Sequence, residues 1–172
     1  MMEDSEILHA SFKEWVLQDW QANAGRTDAR FVVVAFRIAQ FLCRRYPLLY
    51  DLYKVPYWLI LSAVLGIELP AQITIGKRLQ IWHAHAIIIN IHAVIGDDCV
   101  LRHGVTIGNQ GSGDEDNPGV PRLGNGVNLG CGCAVLGDID VADNVTVGAL
   151  TVVTKSVPAG KVIVGSPARI LN

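Results

Sequence analysis

Aromatic side chains are scarce in this chain of 172 residues: Phe, Trp and Tyr make up 7% of it, although hydrophobic residues make up 51%. A core of large rings is therefore excluded, and Val, Ile, Leu and Ala must supply the interior. The chain also carries 17 glycines. Small branched side chains combined with many glycines are typical of β structure with frequent tight turns.

Charge is low and nearly balanced, with 14 basic side chains, 16 acidic ones and a formal net charge of -2. Nucleic-acid binding needs a basic surface that neutralises phosphates, so we expect no nucleic-acid partner. The high hydrophobic fraction likewise excludes a disordered chain. The length fits one compact domain with a small appendage.

Cysteine occurs four times, and the sequence contains no CxxC pair. Zinc ribbons and thioredoxin-like sites both use such pairs, so neither is indicated. No signal-peptide pattern stands at the start of the sequence, and we therefore expect a cytoplasmic protein with reduced thiols. Cys131 and Cys133 are predicted to act as small apolar fillers.

Long hydrophobic runs are also missing. Two apolar segments, 31–43 and 55–67, have 13 residues each, whereas a transmembrane helix needs roughly 20. We expect both segments to form helices that pack against protein. A peripheral contact of the second segment with a membrane surface stays open as an alternative.

Apolar residues in the range 1–67 recur at helical intervals of three and four. One such set is Val33, Phe36, Arg37, Gln40 and Phe41. The spacing predicts three helices, near residues 6–22, 28–45 and 49–65. Breaks are expected around Gly25 and at Pro47, and Thr27 or Asp28 is expected to cap the second helix.

The range 68–172 follows a different period, with aliphatic residues six positions apart. The clearest series is Leu123, Leu129, Val135, Val141, Val147 and Val153. A period of six fits neither an α-helix nor a half-buried strand, but it matches the hexapeptide repeat of a parallel β-helix. Three hexads form one triangular coil of about 18 residues. An ordinary β-sandwich is the alternative, and the length of the repeat argues against it.

Two interruptions break the repeat. The phase slips by two around 88–90, and a polar insertion occupies residues 109–122. A loop of this length in a solenoid is more often functional than a plain surface excursion, which is the alternative. We therefore predict a helical region at 1–67 and a β-helix at 68–172 that carries this inserted loop.

Four of the five histidines lie within 21 residues: His83, His85, His92 and His103. Strand alternation predicts that His83 and His85 share a face while Trp82 points the other way. A spacing of 18 predicts that His85 and His103 stack on neighbouring coils, provided that the phase slip does not shift them. Such a cluster suits a general base. The alternatives are a zinc site completed by a partner subunit and ordinary solvent-exposed histidines.

Four segments carry a family resemblance in addition to the hexads: GIELPAQITIGKRLQIWHAHA, GVTIGNQ, LGNGVNLGCGCAVLGDI and VGSPARI. They resemble the serine acetyltransferase branch of the hexapeptide acyltransferases, and most closely the acetyltransferases of colanic acid and capsular polysaccharide biosynthesis. The likeness covers about 28–172. It implies a mainly β protein, a left-handed parallel β-helix after a small α-helical region. It also implies a homotrimer that binds acetyl-CoA between neighbouring subunits. We expect no metal, because nothing else in the sequence demands one.

The resemblance also implies a catalytic pair. In the family a carboxylate precedes the catalytic histidine by fifteen residues, and here Glu68 and His83 have that spacing. His83 would take the proton from the acceptor hydroxyl, and Glu68 would orient the imidazole. The family usually has Asp at the position of Glu68, so the longer side chain is a departure.

Other family positions concern the acetyl donor. The backbone amides at Gly108 and Asn109 match positions that hold the pantetheine arm, and Cys131 and Ala149 match small residues along the same track. Basic residues near the end of the chain would meet the nucleotide phosphates. The candidates are Lys155, Lys161 and Arg169.

Departures from the serine branch concern the acceptor. Serine acetyltransferases have an aspartate where this chain has Trp82, and an Arg-His pair where it has Gly119 and Val120. Without these charges a free amino acid would be poorly held, whereas an indole can stack on a sugar. Arg102 and His103 resemble the polysaccharide branch.

We therefore expect a sugar hydroxyl on a small-molecule or lipid-linked glycan as the acceptor. It would be bound by Trp82, His85, Arg102 and His103. Serine O-acetylation is the rival within the class. The rivals from other classes are a zinc-dependent lyase of the carbonic anhydrase kind and a non-catalytic scaffold.

Overall fold

A computed structural model describes residues 9–111 and 119–171. Its first part is helical, with α1 at Phe12–Leu17, α2 at Thr27–Arg45, α3 at Pro47–Trp58 and a π-helical segment at Leu59–Val64. The second and third predicted helices are thereby confirmed. The first is shorter than predicted, because turns occupy 18–25, and its predicted residues 6–8 lie outside the described chain. No helix of the described ranges is long and apolar enough to cross a membrane.

The start of α2 differs from the prediction. Its N-cap is Arg26, and no side chain caps the helix. Thr27 is already the first helical residue, and the Asp28 carboxylate accepts a hydrogen bond from the Ala84 amide at 3.1 Å. The predicted cap by Thr27 or Asp28 is therefore wrong, because Arg26 occupies the N-cap position and both predicted residues already lie inside the helix.

The second part is a parallel β-solenoid with three sheets along its sides. The first sheet contains β1 (Thr74–Ile75), β4 (Val94–Ile95), β7 (Arg122–Leu123) and β10 (Asp140–Val141). The second contains β2 (Gln80–Trp82), β5 (Val100–Arg102), β8 (Asn128–Leu129), β11 (Thr146–Val147), β13 (Val162–Val164) and β14 (Arg169–Leu171). The third contains β3 (Ile88–Ile89), β6 (Thr106–Gly108), β9 (Ala134–Leu136) and β12 (Val152–Val153). All pairs are parallel except β13 with β14. Three consecutive strands make one coil, so the predicted β-helix is confirmed and the β-sandwich is wrong.

Aliphatic residues fill the interior, as the period of six requires. In the first sheet, Ile75, Ile95, Leu123 and Val141 occupy equivalent positions on successive coils, and none is more than 3% exposed. One coil cannot cover its own inward residues, so stacking on the next coil provides the burial.

Two buried cysteines serve the same interior. Burial raises the pKa of Cys99 to about 11 and that of Cys133 to about 12. Both therefore remain neutral thiols at neutral pH, which fits the predicted filler role of Cys133. Cys131 is only half-buried.

The strand register locates the phase slip in the repeat. Trp82 pairs with Arg102, twenty residues later, whereas Ile88 pairs with Thr106, eighteen residues later. The two extra residues therefore lie in the turn 83–86, and the prediction at 88–90 was wrong by one corner. Ile87 and Ile89 are both buried, so the sequence offered two equivalent inward positions.

The polar insertion does separate β6 from β7, as predicted. Its residues 112–118 lie outside the described chain.

Side chains from the helical part close the open edge of the first coil at β2. Asp19 and Asn23 are fully buried. The Asp19 carboxylate accepts a hydrogen bond from the Leu79 amide at 3.0 Å. The Asn23 side chain accepts from the Ile81 amide at 3.0 Å and donates to the Leu79 carbonyl at 2.7 Å. These strand groups have no earlier coil to pair with, so the two side chains replace it.

Two residues of α2 do the same at β1. Arg37 donates to the carbonyls of Ile75 at 3.1 Å and of Gly76, and Gln40 donates to the Ile73 carbonyl at 3.0 Å. Arg37 also forms a fully buried ion pair with Asp19 at 2.7 Å. We call Asp19, Asn23, Arg37 and Gln40 the polar seam.

We expect Arg37→Ala to lower the free energy of unfolding by about 3–5 kcal/mol, because it leaves the buried Asp19 carboxylate without its counter-charge. The measurement is urea-induced unfolding at one fixed protein concentration. Arg122→Ala is the matched control: Arg122 pairs with Asp138 and Asp140 on the surface, where such pairs contribute about 0–1 kcal/mol. Equal losses in the two variants would contradict the role of the seam.

Candidate active site

His83 lies in the turn that joins the second sheet to the third. Its φ is +57°, and its carbonyl accepts a hydrogen bond from the His85 amide at 2.7 Å. Equivalent corners of the later coils have one left-handed residue each, at Gly104, Gly132 and Leu150. This turn has two, His83 and Ala86. The two-residue insertion thus holds His83 in a conformation that costs about 1–3 kcal/mol for a side chain of this kind, and such strain is often found at functional sites.

The insertion also decides which histidines meet. The ring centroids of His83 and His103 are 5.7 Å apart, with an interplanar angle of 74°. The predicted stack of His85 on His103 is wrong, because the register at this point is twenty rather than eighteen. The predicted alternation of Trp82 against His83 and His85 also fails, since β2 ends at Trp82 and both histidines lie in the turn.

Small residues continue the line of the histidine pair along the same corner. The Gly132 amide donates to the His103 carbonyl at 2.9 Å, and the Leu150 amide donates to the Cys131 carbonyl at 2.9 Å. His83, His103, Cys131 and Ala149 therefore follow one another on successive coils. The structure thus places His83 and His103, which were predicted to act on the acceptor, in one line with Cys131 and Ala149, which were predicted to contact the donor.

Trp82 lies beside this line on the outer side of the second sheet, in register with Arg102. Its indole is 39% exposed, and the guanidinium of Arg26 lies 4.2 Å from the ring centroid. One face of the indole is therefore covered by a cation. Arg102 donates to the side-chain oxygen of Asn128 and to the Leu129 carbonyl. Sequence reasoning missed Arg26, because no spacing rule connects it with Trp82.

Asp28 was also missed as a member of this site. The hydrogen bond from the Ala84 amide lowers the pKa of the Asp28 carboxyl, and the charge of His83 adds to this effect. Asp28, in the first turn of α2, thus binds the backbone of Ala84, the residue that directly follows His83. No repeat or motif in the sequence signals this contact.

Glu68 lies in line with the third sheet, where it forms a bridge with Ile88. Its side chain is exposed and borders a groove of about 600 Å³ between the first coil and α3. Across the described ranges, no hydrogen bond or ion pair joins Glu68 to His83. The catalytic pairing of these two residues stays a prediction.

The remaining donor-binding candidates lie at the far end of the third sheet. The Gly108 carbonyl accepts from the Gly137 amide at 3.0 Å, and Asn109 donates to the Gly111 carbonyl at 2.7 Å. The pairing of β9 with β12 aligns Lys155 with Gly137 on the next coil. A chain that runs outside the third sheet would therefore pass from the histidine corner to this end.

Two further predicted residues lie apart from that path. Arg169 pairs with Val164 in the second sheet. His85 is exposed in the turn, and its carbonyl accepts from the Gly104 amide at 3.1 Å. No group of three or more His, Cys, Asp or Glu that could hold a metal ion occurs in the part of the chain that the structure describes.

The histidine corner suits proton transfer to and from a bound substrate. An imidazole has the basicity to accept a proton at neutral pH, and the small residues beside it leave room for a thin chain at close range. No family model matches the chain.

The WcaB protein of Escherichia coli (strain K12), named for acetyl transfer in colanic acid biosynthesis, is 42% identical over 161 residues. The match covers 90% of this chain and 98% of WcaB.

Solved structures of serine acetyltransferases share the fold. The soybean enzyme complexed with serine has a TM-score of 0.80 at 26% identity, covering 94% of this chain and 70% of that one. The enzyme from Brucella abortus strain S19 in complex with coenzyme A has a TM-score of 0.81 at 24% identity, covering 98% and 71%. The solenoid is the left-handed β-helix of these neighbours. Given the match to WcaB over nearly its full length, the chain belongs to the hexapeptide-repeat acetyltransferases.

Proposed function

We propose that the protein transfers the acetyl group of acetyl-CoA to a hydroxyl of a sugar, in a polysaccharide repeat unit or its lipid-linked precursor. The contact of His83 with His103 at the head of a line of small residues carries the proposal. The likeness to WcaB supports a polysaccharide-related acceptor. The coenzyme A complex of the Brucella abortus enzyme is consistent with the donor.

His83 acts as the general base. Its imidazole accepts the proton of the acceptor hydroxyl while that oxygen attacks the thioester carbonyl. The tetrahedral intermediate collapses with cleavage of the carbon–sulfur bond, and the imidazolium returns the proton to the departing thiolate. The products are the acetyl ester and free coenzyme A. The edge-to-face contact with His103 restricts the orientation of the His83 ring.

The donor lies along the outer side of the third sheet. Cys131 and Ala149 allow close approach of its pantetheine arm, and the backbone at Gly108 and Asn109 hydrogen-bonds to the arm. Lys155 attracts the nucleotide phosphates. It lies at the same corner as Gly108 and Asn109, because Gly137 on the intervening coil bonds to Gly108 and is in register with Lys155. Arg169, from the last strand, is the second phosphate-binding candidate. A homotrimer would supply the opposite wall of this track from a neighbouring subunit.

Acceptor choice depends on the side chain before His83. The Trp82 indole has Arg26 over one face, and its exposed remainder can stack on the apolar side of a sugar ring. Free serine would need charged partners for its ammonium and carboxylate groups. Serine acetylation is the alternative function, and the structural similarity to the serine-bound soybean enzyme is the observation that supports it.

We expect His83→Ala to lower turnover by about 10²–10⁴-fold, because the acceptor hydroxyl loses its proton acceptor. The release of free thiol from acetyl-CoA gives the rate, and sedimentation checks that the oligomer is unchanged. His92→Ala is the control, since His92 is exposed on another corner. Undiminished turnover in His83→Ala would exclude His83 as the base.

Asp28→Ala should lower kcat about 10–100-fold with little change in KM, because the turn that carries His83 loses its anchor on α2. Asp28→Asn keeps an acceptor for the Ala84 amide and should recover much of the loss. Asp138→Ala removes a surface carboxylate elsewhere and should leave kcat unchanged. A rise in KM without a fall in kcat would argue against positioning.

The acceptor class is tested by incubating the purified protein and acetyl-CoA with L-serine or with a panel of glycans. We expect thiol release with glycans and none above background with serine. The reason is that Trp82, Gly119 and Val120 stand where serine acetyltransferases have an aspartate and an Arg-His pair. Release with serine alone would establish the alternative function.

A further inference from the structure

One edge of the Arg102 guanidinium is unoccupied, and it lies near the proposed base. The Nη1 atom donates to the Asn128 side chain and to the Leu129 carbonyl. Within residues 9–111 and 119–171, the Nε and Nη2 atoms of Arg102 have no hydrogen-bond or ion-pair partner. Neither atom is buried, so both can be reached from solvent. We call this pair of donors the free edge.

Two other arginines of the chain show what such an edge binds. Arg78 donates from Nε and Nη2 to the two carboxylate oxygens of Asp98, at 2.6 Å each. Arg37 uses the same two atoms on the carboxylate of Asp19, at 2.7 and 3.3 Å. The two parallel N–H groups match the two oxygens of a carboxylate, which makes this pairing both strong and directional. The free edge of Arg102 is the same pair of donors without its carboxylate.

The Arg102 side chain is fixed in position before any ligand binds. Its two bonds from Nη1 hold the guanidinium, so little side-chain freedom is left to lose on binding. Leu101 points into the solenoid, which places Arg102 on the outer side of the second sheet. There it is the register partner of Trp82, and adjacent strands lie only about 4.8 Å apart. One ligand can therefore touch the indole and the free edge together.

The same two coils also carry the histidine pair. Trp82 directly precedes His83, and Arg102 directly precedes His103. The His103 amide donates to the Trp82 carbonyl at 3.1 Å, and the His103 ring contacts that of His83. A sugar ring on the indole can therefore direct a hydroxyl toward His83 and a carboxylate toward the free edge.

The charge around the Trp82 indole favours an anion. Arg26 places a second cation 4.2 Å from the ring centroid, and the hydrogen bonds of Arg26 go to neutral oxygens. Neither Arg26 nor Arg102 forms an ion pair in the described part of the chain. The Asp28 carboxylate, near the same turn, already accepts from the Ala84 amide. Two unpaired cations therefore flank the indole, although the whole chain carries -2.

We propose that the acceptor is an acidic sugar, with its carboxylate bound by the free edge of Arg102 and its ring stacked on Trp82. The inference rests on the proposed function and names the class of acceptor on which that function acts. Charge-assisted bonds at the free edge select a sugar carboxylate over the corresponding neutral sugar. Free serine also has a carboxylate, but its ammonium group would meet the two unpaired cations. Arg102 thus determines specificity, and His83 remains the base.

The test is calorimetric titration of the full chain with methyl glucuronide and with methyl glucoside, which differ only at C6. We expect the glucuronide to bind at least tenfold more tightly, because only its carboxylate can complete the free edge. Arg102→Gln should bring the two affinities together, and Arg102→Lys, which keeps the charge without the paired donors, should recover only part of the preference. Arg122→Gln is the matched control, since Nε and Nη2 of Arg122 already bind Asp140 and Asp138, and it should keep the full preference.

Four results would overturn the proposal. The first is equal affinity of the wild type for the two sugars, or no binding of either, and the second is a preference that survives in Arg102→Gln. The third is tighter binding of methyl glucoside 6-phosphate than of the glucuronide, which would assign the free edge to a phosphate. The fourth is a smaller sedimenting assembly for Arg102→Gln, which would mean that a carboxylate of a second copy occupies the edge. Thiol release from acetyl-CoA is measured separately with the same sugars, so that a failure of acetyl transfer is distinguished from a failure of carboxylate binding.

Discussion

The open edge of the first coil is the constraint on which the molecule depends. Every later coil pairs its amides and carbonyls with the coil before it, but β1 and β2 have none before them. Asp19, Asn23, Arg37 and Gln40 supply the missing hydrogen bonds from the helical part. Because these groups are buried, each would be costly without its partner. The helices are thus a structural requirement of the solenoid.

The same docking of helices on the first coil builds the candidate site. Once α2 is fixed by the polar seam, its N-terminus lies over the turn that follows β2. Arg26 then covers the indole of Trp82, and Asp28 holds the amide of Ala84. The strained turn at His83 is therefore supported from two sides, by its own coil and by α2. A closed edge on the first coil and a positioned histidine are two consequences of one interface.

The solenoid also explains why residues far apart in the sequence form one line along a corner. Each coil contributes one residue to a corner, so a line of small residues arises from the repeat without any special motif. Cys131 and Ala149 continue the line that the histidines begin. Under the proposed function, the scaffold supplies this line of residues and His83 as the base, and Trp82 beside His83 is the residue proposed to select the acceptor.

The sequence by itself determined the coils of the solenoid, the second and third helices of the helical part, and the family. These depend on local periodicity: an inward residue every six positions requires stacked coils, and the spacing of Phe36, Arg37 and Gln40 requires one buried helical face. The residue types near His83 were also visible as a cluster. Their partners were not. The edge-to-face contact of His83 with His103 depended on where two extra residues enter a coil, and two equivalent isoleucines left that position undecided.

Only the tertiary structure could bring Arg26 and Asp28 to Trp82 and Ala84, or pair Asp19 and Arg37 with the first coil. These contacts join residues that are between 38 and 60 positions apart, across two kinds of structure. No periodicity extends across that junction. The physical reason is that a repeat specifies how each coil meets the next, whereas the place where the repeat begins is decided by the packing of an unrelated element.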